Sequence, residues 1–120
     1  MPTNPDSSPS GIDKYLPLSA ADCHILMALA REELYGYALL QAMAEDSSGC
    51  VSMDIGALYR ALDRLMRRGL IEESNRRAVE KARGKPRRYY RLRPLGRTVL
   101  REEVSRLSRV LHLAETEGLR

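Results

Sequence analysis

The amino-acid sequence predicts a mainly α-helical fold with a small β-hairpin and a long C-terminal helix. Four segments carry apolar residues at helical spacing, two short strand-like segments separate the third from the fourth, and the fourth has a heptad-like repeat. A chain of 120 residues suits one compact domain with a modest core. We therefore expect a flexible tail over residues 1–14, a folded domain over residues 15–93 and a separate helix over residues 94–120.

The N-terminal segment has three Pro and three Ser in its first 12 residues, a composition typical of a mobile tail. The first helix is expected to begin after Ser19, which can act as its N-cap, and to run to about Ala30. Apolar side chains surround this helix on nearly every side, so we expect it to contact a second chain as well as its own core. They are Cys23, Ile25, Leu26, Met27, Ala28 and Leu29.

The second helix is expected from about Gly36 to Ala44 or Asp46, where Ser47-Ser48-Gly49 stops it. Its apolar positions at helical spacing are Tyr37, Leu40, Met43 and Ala44.

The third helix is expected to begin after Asp54 and to end at Gly69. A helix with small residues near its N-terminus and arginines beyond them can lie in a major groove while its apolar side packs on the domain. An ordinary surface helix is the alternative, but Arg60 and Arg64 repel each other at i,i+4, so helix stability does not explain them well. The polar arc holds Gly56, Ala57, Arg60, Asp63, Arg64 and Arg67, opposite an apolar arc of Ile55, Leu58, Ala61, Leu62, Leu65 and Met66.

Two short strands are expected over residues 70–74 and 87–92, with Gly84 and Pro86 marking the return of the chain. The connection between them is long for a hairpin, and it is basic. Such a composition is typical of a wing along a DNA backbone, where Lys and Arg position the protein without reading sequence. The basic residues of the connection are Arg76, Arg77, Lys81, Arg83 and Lys85.

The last helix is expected from about Pro94 to Glu117. Its apolar residues recur at steps of 4, 3, 4 and 3, which is the a/d pattern of a helix that packs along another helix. Roughly 24 residues span about 36 Å, more than a domain of this size needs for its own core. We expect a homodimer; folding back on the first helix of the same chain is the alternative. The dimerisation residues are Leu100, Val104, Leu107, Leu111 and Ala114.

Charge is unevenly distributed along the chain. Fifteen of its 20 basic residues lie between Arg60 and Arg101 with only four acids, which gives about +11, whereas the rest of the chain carries about −7. A basic stripe of this kind is typical of a protein that binds nucleic acid, although a solvated surface is the alternative for any run of charge. Three helices, a wing and a terminal helix together make a winged helix-turn-helix with a C-terminal dimerisation helix.

With these elements in place, the chain from about Leu18 resembles the PadR family of bacterial transcriptional regulators, in its short subfamily with one terminal helix. The matching motifs are Tyr35-Gly36-Tyr37-Ala38-Leu39, then Gly56-Ala57-Leu58-Tyr59 with Leu62, Leu65 and Gly69-Leu70-Ile71, and finally Gly84-Lys85-Pro86-Arg87-Arg88-Tyr89-Tyr90-Arg91-Leu92 with Gly96.

The resemblance implies a dimeric repressor that binds an inverted repeat in double-stranded promoter DNA and is released by a small molecule. It also implies a recognition helix and a wing as the DNA-binding elements. Residues of the recognition helix that are expected to bind DNA are Gly56, Ala57, Tyr59, Arg60 and Arg64, and those of the wing are Arg77, Lys85, Arg87, Arg88 and Tyr89.

The chain departs from the family pattern at Tyr35, at Ile55-Gly56-Ala57 and at Arg93, where the family usually has His, Pro-Gly-Thr and Thr. It also has no Trp, whereas some relatives stack flat aromatic drugs on a Trp at the dimer interface. We therefore expect a compact apolar or phenolic effector between the first and last helices.

Other classes of function find little support in the sequence. His24 and His112 lie in helices without a recognisable nucleophile, so we expect no enzymatic activity and no cofactor. Cys23 and His24 diverge by about 100° on a helix, so they make a poor metal chelate. No apolar run suits a membrane span and the start does not resemble a signal peptide, so we expect a cytoplasmic protein with reduced Cys23 and Cys50. A winged helix used as a protein-contact adaptor is the alternative function.

Overall fold

The computed structural model describes residues 9–75 and 87–120. Over these ranges the chain forms a 3₁₀ helix, Pro9–Tyr15, followed by four α-helices and three short β-strands. The helices are α1 (Ala20–Arg31), α2 (Gly36–Asp46), α3 (Ile55–Arg67) and α4 (Pro94–Thr116), and the strands are β1 (Leu34–Tyr35), β2 (Ile71–Glu73) and β3 (Tyr89–Leu92).

The 3₁₀ helix corrects the expected N-terminal boundary. Ile12 is only 2% exposed and belongs to the main core, while Arg68 donates to the Lys14 carbonyl at 3.2 Å and stacks 4.8 Å from the Tyr15 ring centroid. Part of the segment that we expected to be a flexible tail is therefore held on the domain through Ile12. Burial of one isoleucine outweighs the Pro- and Ser-rich composition that favours a tail.

The helices begin and end close to the positions that the sequence predicts. The Ser19 hydroxyl accepts the Asp22 amide at 3.0 Å, which starts α1, and the Asp54 carboxylate accepts the Ala57 amide at 2.7 Å, which starts α3. Gly69, with φ of 78°, follows the last turn of α3. Both predicted N-caps are confirmed.

The buried face of α2 differs from the expected one. Gly36, Leu39 and Met43 are buried, whereas Tyr37 is 64% exposed. Positions 37 and 39 lie about 200° apart on a helix, so burying Leu39 turns Tyr37 outward.

The predicted hairpin is part of a three-stranded antiparallel sheet of order β1-β3-β2. Leu34 pairs with Tyr90 on one side of β3, and Ile71 pairs with Leu92 on the other. Sequence reasoning missed β1 because its two residues carry no strand pattern of their own. β1 ties the N-terminus of α2 to the wing.

The core lies where α1, α2, α3 and the first half of α4 meet, and it closes tightly at Gly96. A Cβ there would lie 2.1 Å from the Leu70 carbonyl oxygen, so only glycine permits this approach of α4 to the chain after α3. The core residues that are fully enclosed include Ile25, Leu26, Leu39, Met43, Leu58, Leu62, Leu65, Leu70 and Val99.

Helix α4 extends beyond the domain that it starts on. Gly96, Val99, Leu100 and Glu103 are buried, but large apolar side chains from Val104 onward are exposed. The molecule is accordingly elongated, with principal extents of 57 × 34 × 22 Å. In the described ranges, no helix combines the length and the apolar character that crossing a bilayer requires.

Candidate nucleic-acid interface

Helix α3 divides into a buried and an exposed face, as its sequence pattern predicts. Leu58, Ala61, Leu62 and Leu65 are at most 3% exposed and pack into the core. The opposite face is open to solvent and carries Gly56, Arg60, Asp63, Arg64 and Arg67. The core therefore holds this face outward along about 20 Å of helix.

The three arginines on the exposed face of α3 have different surroundings. Arg64 donates from Nη2 to the Asp22 carboxylate of α1 at 2.6 Å, and Arg67 pairs with Asp63 at 2.5 Å within the same helix. Over the described ranges Arg60 has no ion-pair partner, and its Nη1 lies 3.6 Å from where a Cβ would stand at Gly56. Among the three arginines of α3, Arg60 is therefore the one without an ion pair to a described residue.

Tyr59 lies at the edge of this face, next to α2 and the wing. It is 41% exposed, and a Cβ at Gly36 would lie 2.7 Å from its hydroxyl oxygen. The absence of a side chain at Gly36 therefore makes room for the Tyr59 hydroxyl at the N-terminus of α2. This contact explains why glycine is required at position 36 of the motif Tyr35-Gly36-Tyr37.

The root of the wing holds Arg87 on an aromatic side chain. The Arg87 guanidinium lies 4.4 Å from the Tyr35 ring centroid, and Tyr35 meets Tyr89 edge-on with centroids 5.4 Å apart. Stacking on a tyrosine leaves the edge of a guanidinium able to donate to other groups. The Tyr35 ring therefore fixes the orientation of the Arg87 guanidinium, while the residue remains exposed to solvent.

Arg88 is held by polar partners at the same root. It donates to the Tyr90 hydroxyl, and this bond, with Glu73 at 3.9 Å, raises the pKa of the Arg88 guanidinium. Burial raises the pKa of Tyr90 from its ordinary value, so the phenol stays protonated at neutral pH. Arg88 keeps its positive charge with its side chain 60% exposed.

Most of the described residues that were expected to bind DNA are accessible, but Tyr89 is not. It is 4% exposed, so it supports Tyr35 from within the sheet and is not available to a DNA ligand. Tyr89 and its neighbour Tyr90 are both buried, because they begin β3, the central strand of the sheet. Ala57 is half-buried. Arg77 and Lys85 lie outside the described residues.

Sequence reasoning missed two residues near this face, Asp22 and Tyr37. Asp22 is buried, and its contact with Arg64 joins residues 42 positions apart, which no local pattern predicts. Tyr37 directly follows Gly36, so its exposed ring lies at the same end of α2 as the Tyr59 contact. The spacing of α2 places Tyr37 among its apolar positions, so the sequence does not predict that it is exposed.

The five residues that the sequence predicts at a dimer interface lie in different environments. Leu100 is buried in the domain, Ala114 is half-buried, and Val104, Leu107 and Leu111 are 40–44% exposed. Val110 and Leu113 are exposed beside them. An apolar stripe of this length, uncovered in a single chain, is typical of a surface that another helix covers.

An ion pair within α4 joins the buried carboxylate of Glu103 to Arg106, one turn further along the helix. Glu103, which is 2% exposed, accepts two hydrogen bonds from Arg106, both at 2.8 Å, and these bonds hold the pKa of the Glu103 carboxyl below its usual range. The Leu18 amide also donates to this carboxylate.

The Cys23 thiol lies near this carboxylate. Burial, reinforced by the charge of Glu103, raises the pKa of the thiol, which disfavours a reactive thiolate. Among the described residues, no cluster of three metal-ligating side chains occurs.

The fold is shared with several solved structures, two of which are named as transcriptional regulators. A PadR-like transcriptional regulator from Bacillus cereus is 24% identical, with a TM-score of 0.65 over 88% of this chain and 92% of that one. A transcriptional regulator from Clostridium thermocellum is 20% identical, with a TM-score of 0.63 over 91% and 95%. RosR of H. salinarum is 23% identical, with a TM-score of 0.59 over 88% and 97%.

These likenesses establish the winged-helix fold with its C-terminal helix. No curated protein sequence matches the chain significantly. The sequence model of the Transcriptional regulator PadR-like family, however, matches residues 25–102, which run from the middle of α1 into α4. The chain therefore belongs to the PadR-like family of transcriptional regulators.

Proposed function

We propose that the protein is a cytoplasmic repressor that binds a pseudo-palindromic promoter site as a homodimer and leaves it when a small molecule binds. The observation that carries this proposal is the exposed face of α3, on which Arg60 and Arg64 lie, flanked at the wing root by Arg87 and Arg88. Small residues at the N-terminus of this face let a helix approach base edges closely.

The residues of the proposed interface divide by the part of DNA that they contact. Arg60 and Arg64 contact base edges or flanking phosphates in the major groove. Arg87 and Arg88, each held by a tyrosine, neutralise phosphates beside it. Arg77 and Lys85 join them as wing residues on the strength of the sequence alone.

Dimerisation is proposed to run along α4. Val104, Leu107 and Leu111 are the exposed members of the predicted seam, and covering them would remove apolar surface from water at about 25 cal/mol per Å². A second copy supplies the same stripe in an isologous contact. A two-fold symmetric DNA site then requires the two copies of α3 to lie on one side of this dimer.

The effector is proposed to bind between α1 and α4 of the dimer. Met27 and Cys23 lie half-buried on α1, and Leu and Val side chains line α4, so the site favours a compact apolar or phenolic molecule. Calorimetric titration with small phenols and with large polycyclic drugs tests this preference. Tight binding of the polycyclic compounds alone would contradict it.

The salt dependence of DNA binding tests the central proposal against a protein-contact adaptor. Two wing-root arginines in each protomer give four phosphate contacts in a dimer, so the slope of log K against log salt should be about −3.6 or steeper. Fluorescence anisotropy with a labelled duplex from upstream of the protein's own gene, and with random duplex, measures it. An adaptor would bind neither duplex measurably, which would refute the proposal.

A further inference from the structure

Within residues 9–75 and 87–120, two aspartate–arginine pairs involve α3, and they differ in burial. In the pair of Asp22 and Arg64, the aspartate side chain is 8% exposed and the arginine side chain 46%. In the pair of Asp63 and Arg67, the corresponding values are 57% and 70%. The first pair thus joins a buried carboxylate to an arginine that reaches the surface, whereas both members of the second are in solvent.

Because Asp22 is buried, breaking its hydrogen bond to Arg64 costs more free energy than breaking an exposed ion pair. A buried carboxylate left without its partner costs far more than an exposed one, so Arg64 does not readily leave it for a phosphate. Asp22 is itself fixed, because its amide donates to the Ser19 hydroxyl at 3.0 Å in the first turn of α1. A rigid acceptor therefore anchors the guanidinium.

Arg64 retains donors for a ligand while it is anchored. A guanidinium has five N–H groups in a planar fork, and the 2.6 Å contact with Asp22 uses one nitrogen, Nη2. The rest of the half-exposed group lies on the face that carries Arg60. Bidentate recognition of a guanine edge depends on the orientation of that fork more than on its charge.

We infer that Asp22 is a positioning residue for DNA recognition: its buried carboxylate holds the Arg64 guanidinium in one orientation on the exposed face of α3, so that Arg64 reads a base edge. This inference rests on the proposed function. It has a counterintuitive consequence, since a negative charge near the DNA lowers affinity for every sequence and yet raises the preference for the operator.

The test compares Asp22→Asn with the unaltered protein and with Asp63→Asn as the matched control. The measured quantity is the ratio of affinities for the operator and for random duplex, at a fixed salt concentration. Asp22→Asn should lower this ratio by roughly 5- to 150-fold, the discrimination that one bidentate contact supplies, without weakening binding to random DNA. Asp63→Asn, which removes a solvent-exposed acid from the same helix, should strengthen binding to both duplexes by similar factors.

A double variant separates positioning from a general charge effect. If Asp22 acts through Arg64, the double variant Asp22→Asn/Arg64→Ala should have the same ratio as Arg64→Ala alone. Independent losses in the two single variants would overturn the inference. So would an Asp22→Asn ratio equal to or above that of the unaltered protein.

Arg64→Lys tests the same inference if Asp22→Asn does not fold. Lysine keeps the charge but lacks the planar fork, so the ratio should fall while the salt slope stays unchanged. An unchanged ratio would overturn the inference and leave the proposed function intact. Absence of DNA binding by the unaltered protein would instead refute the proposed function itself.

Discussion

Among single residues, the arginines of the proposed DNA face differ chiefly in the protein groups that their guanidinium groups contact. Arg60 has no ion-pair partner in the described ranges, Arg64 is anchored on Asp22, and Arg88 is bonded to the Tyr90 hydroxyl. Their charge is the same, but the freedom of each guanidinium is not. Substitution of each arginine should therefore have a distinguishable effect on DNA binding.

Replacing Arg60 with Ala should weaken binding to the operator by about 1–3 kcal/mol and relax the preference at one base position, because the variant loses a contact in the groove. Replacing Arg88 with Ala should weaken binding to all duplexes alike and lower the salt slope by about one for each protomer that loses a phosphate contact. Anisotropy on operator and random duplexes at several salt concentrations measures both effects.

Arg109→Ala is the control for these two variants, because Arg109 is exposed on α4 and contacts Ser105 there. It should bind both duplexes as the unaltered protein does. If Arg60→Ala and Arg88→Ala behave like this control, the proposed DNA face is wrong.

The stability of the folded protein should depend on pH through Glu103. Folding lowers the pKa of its carboxyl, so the ion pair stabilises the folded protein above the unfolded-state pKa of about 4.3, and this stabilisation is lost as the pH falls through the folded-state pKa. Glu103→Gln should cost about 1.5–3 kcal/mol at pH 7, as expected for hydrogen bonds to a buried charge. The difference in Tm from the unaltered protein should shrink as the pH falls from 7 to 3.

Thermal unfolding of Glu103→Gln and of Glu102→Gln, each across that pH range, makes the comparison. Glu102 precedes Glu103 on α4 but is exposed, so its substitution should change Tm little at any pH. A pH-independent loss in Glu103→Gln would contradict the ion-pair account.

At the scale of elements, the fit between α4 and the rest of the domain depends on Gly96. A Cβ at this position would lie 2.1 Å from the Leu70 carbonyl oxygen, which is backbone and has little room to move. Gly96→Ala should therefore destabilise the fold by about 1–3 kcal/mol although alanine favours helix formation. Denaturant unfolding measures this, with Ser108→Ala on the exposed side of α4 as the control. A Gly96→Ala variant as stable as the control would contradict the packing described.

Local signals predicted the elements well where they were sufficient on their own. Ser19 and Asp54 begin their helices as expected because a cap depends on residues within one turn. Elements that depend on distant partners were missed. β1 exists because Leu34 pairs with Tyr90, and the 3₁₀ helix is fixed by the burial of Ile12.

The candidate site divides in the same way. The pattern of α3 alone places Arg60 on the exposed face, but the partner of Arg64 is Asp22, on another helix. Tyr89 belonged to a matching motif with two exposed arginines, and only the sheet register shows that its ring points inward. Composition located the basic segment, whereas tertiary contacts decide which of its residues are available.

At the scale of the whole molecule, the elongated shape and the exposed stripe of α4 lead to a prediction about assembly. Leu107→Glu places a charge in the centre of the proposed seam, where burial without a partner costs several kcal/mol. The variant should be monomeric and should lose operator binding at the same time. Analytical ultracentrifugation at micromolar concentration, combined with anisotropy, detects both changes.

Ser105→Glu provides the matched control, since Ser105 lies about 160° from Leu107 around the same helix. This variant should remain dimeric and bind DNA. If the unaltered protein itself sediments as a monomer at micromolar concentration, the dimer proposal is wrong.

In the proposed complex, two copies of α3 read two half-sites of one operator. Selection of bound sequences from a randomised duplex library measures this directly, because it assumes no operator in advance. We expect enrichment of a pseudo-palindrome whose half-sites lie about one helical turn, or a multiple of it, apart. Enrichment of a single unrepeated site would contradict the symmetric arrangement, and no enrichment at all would contradict sequence-specific recognition by α3.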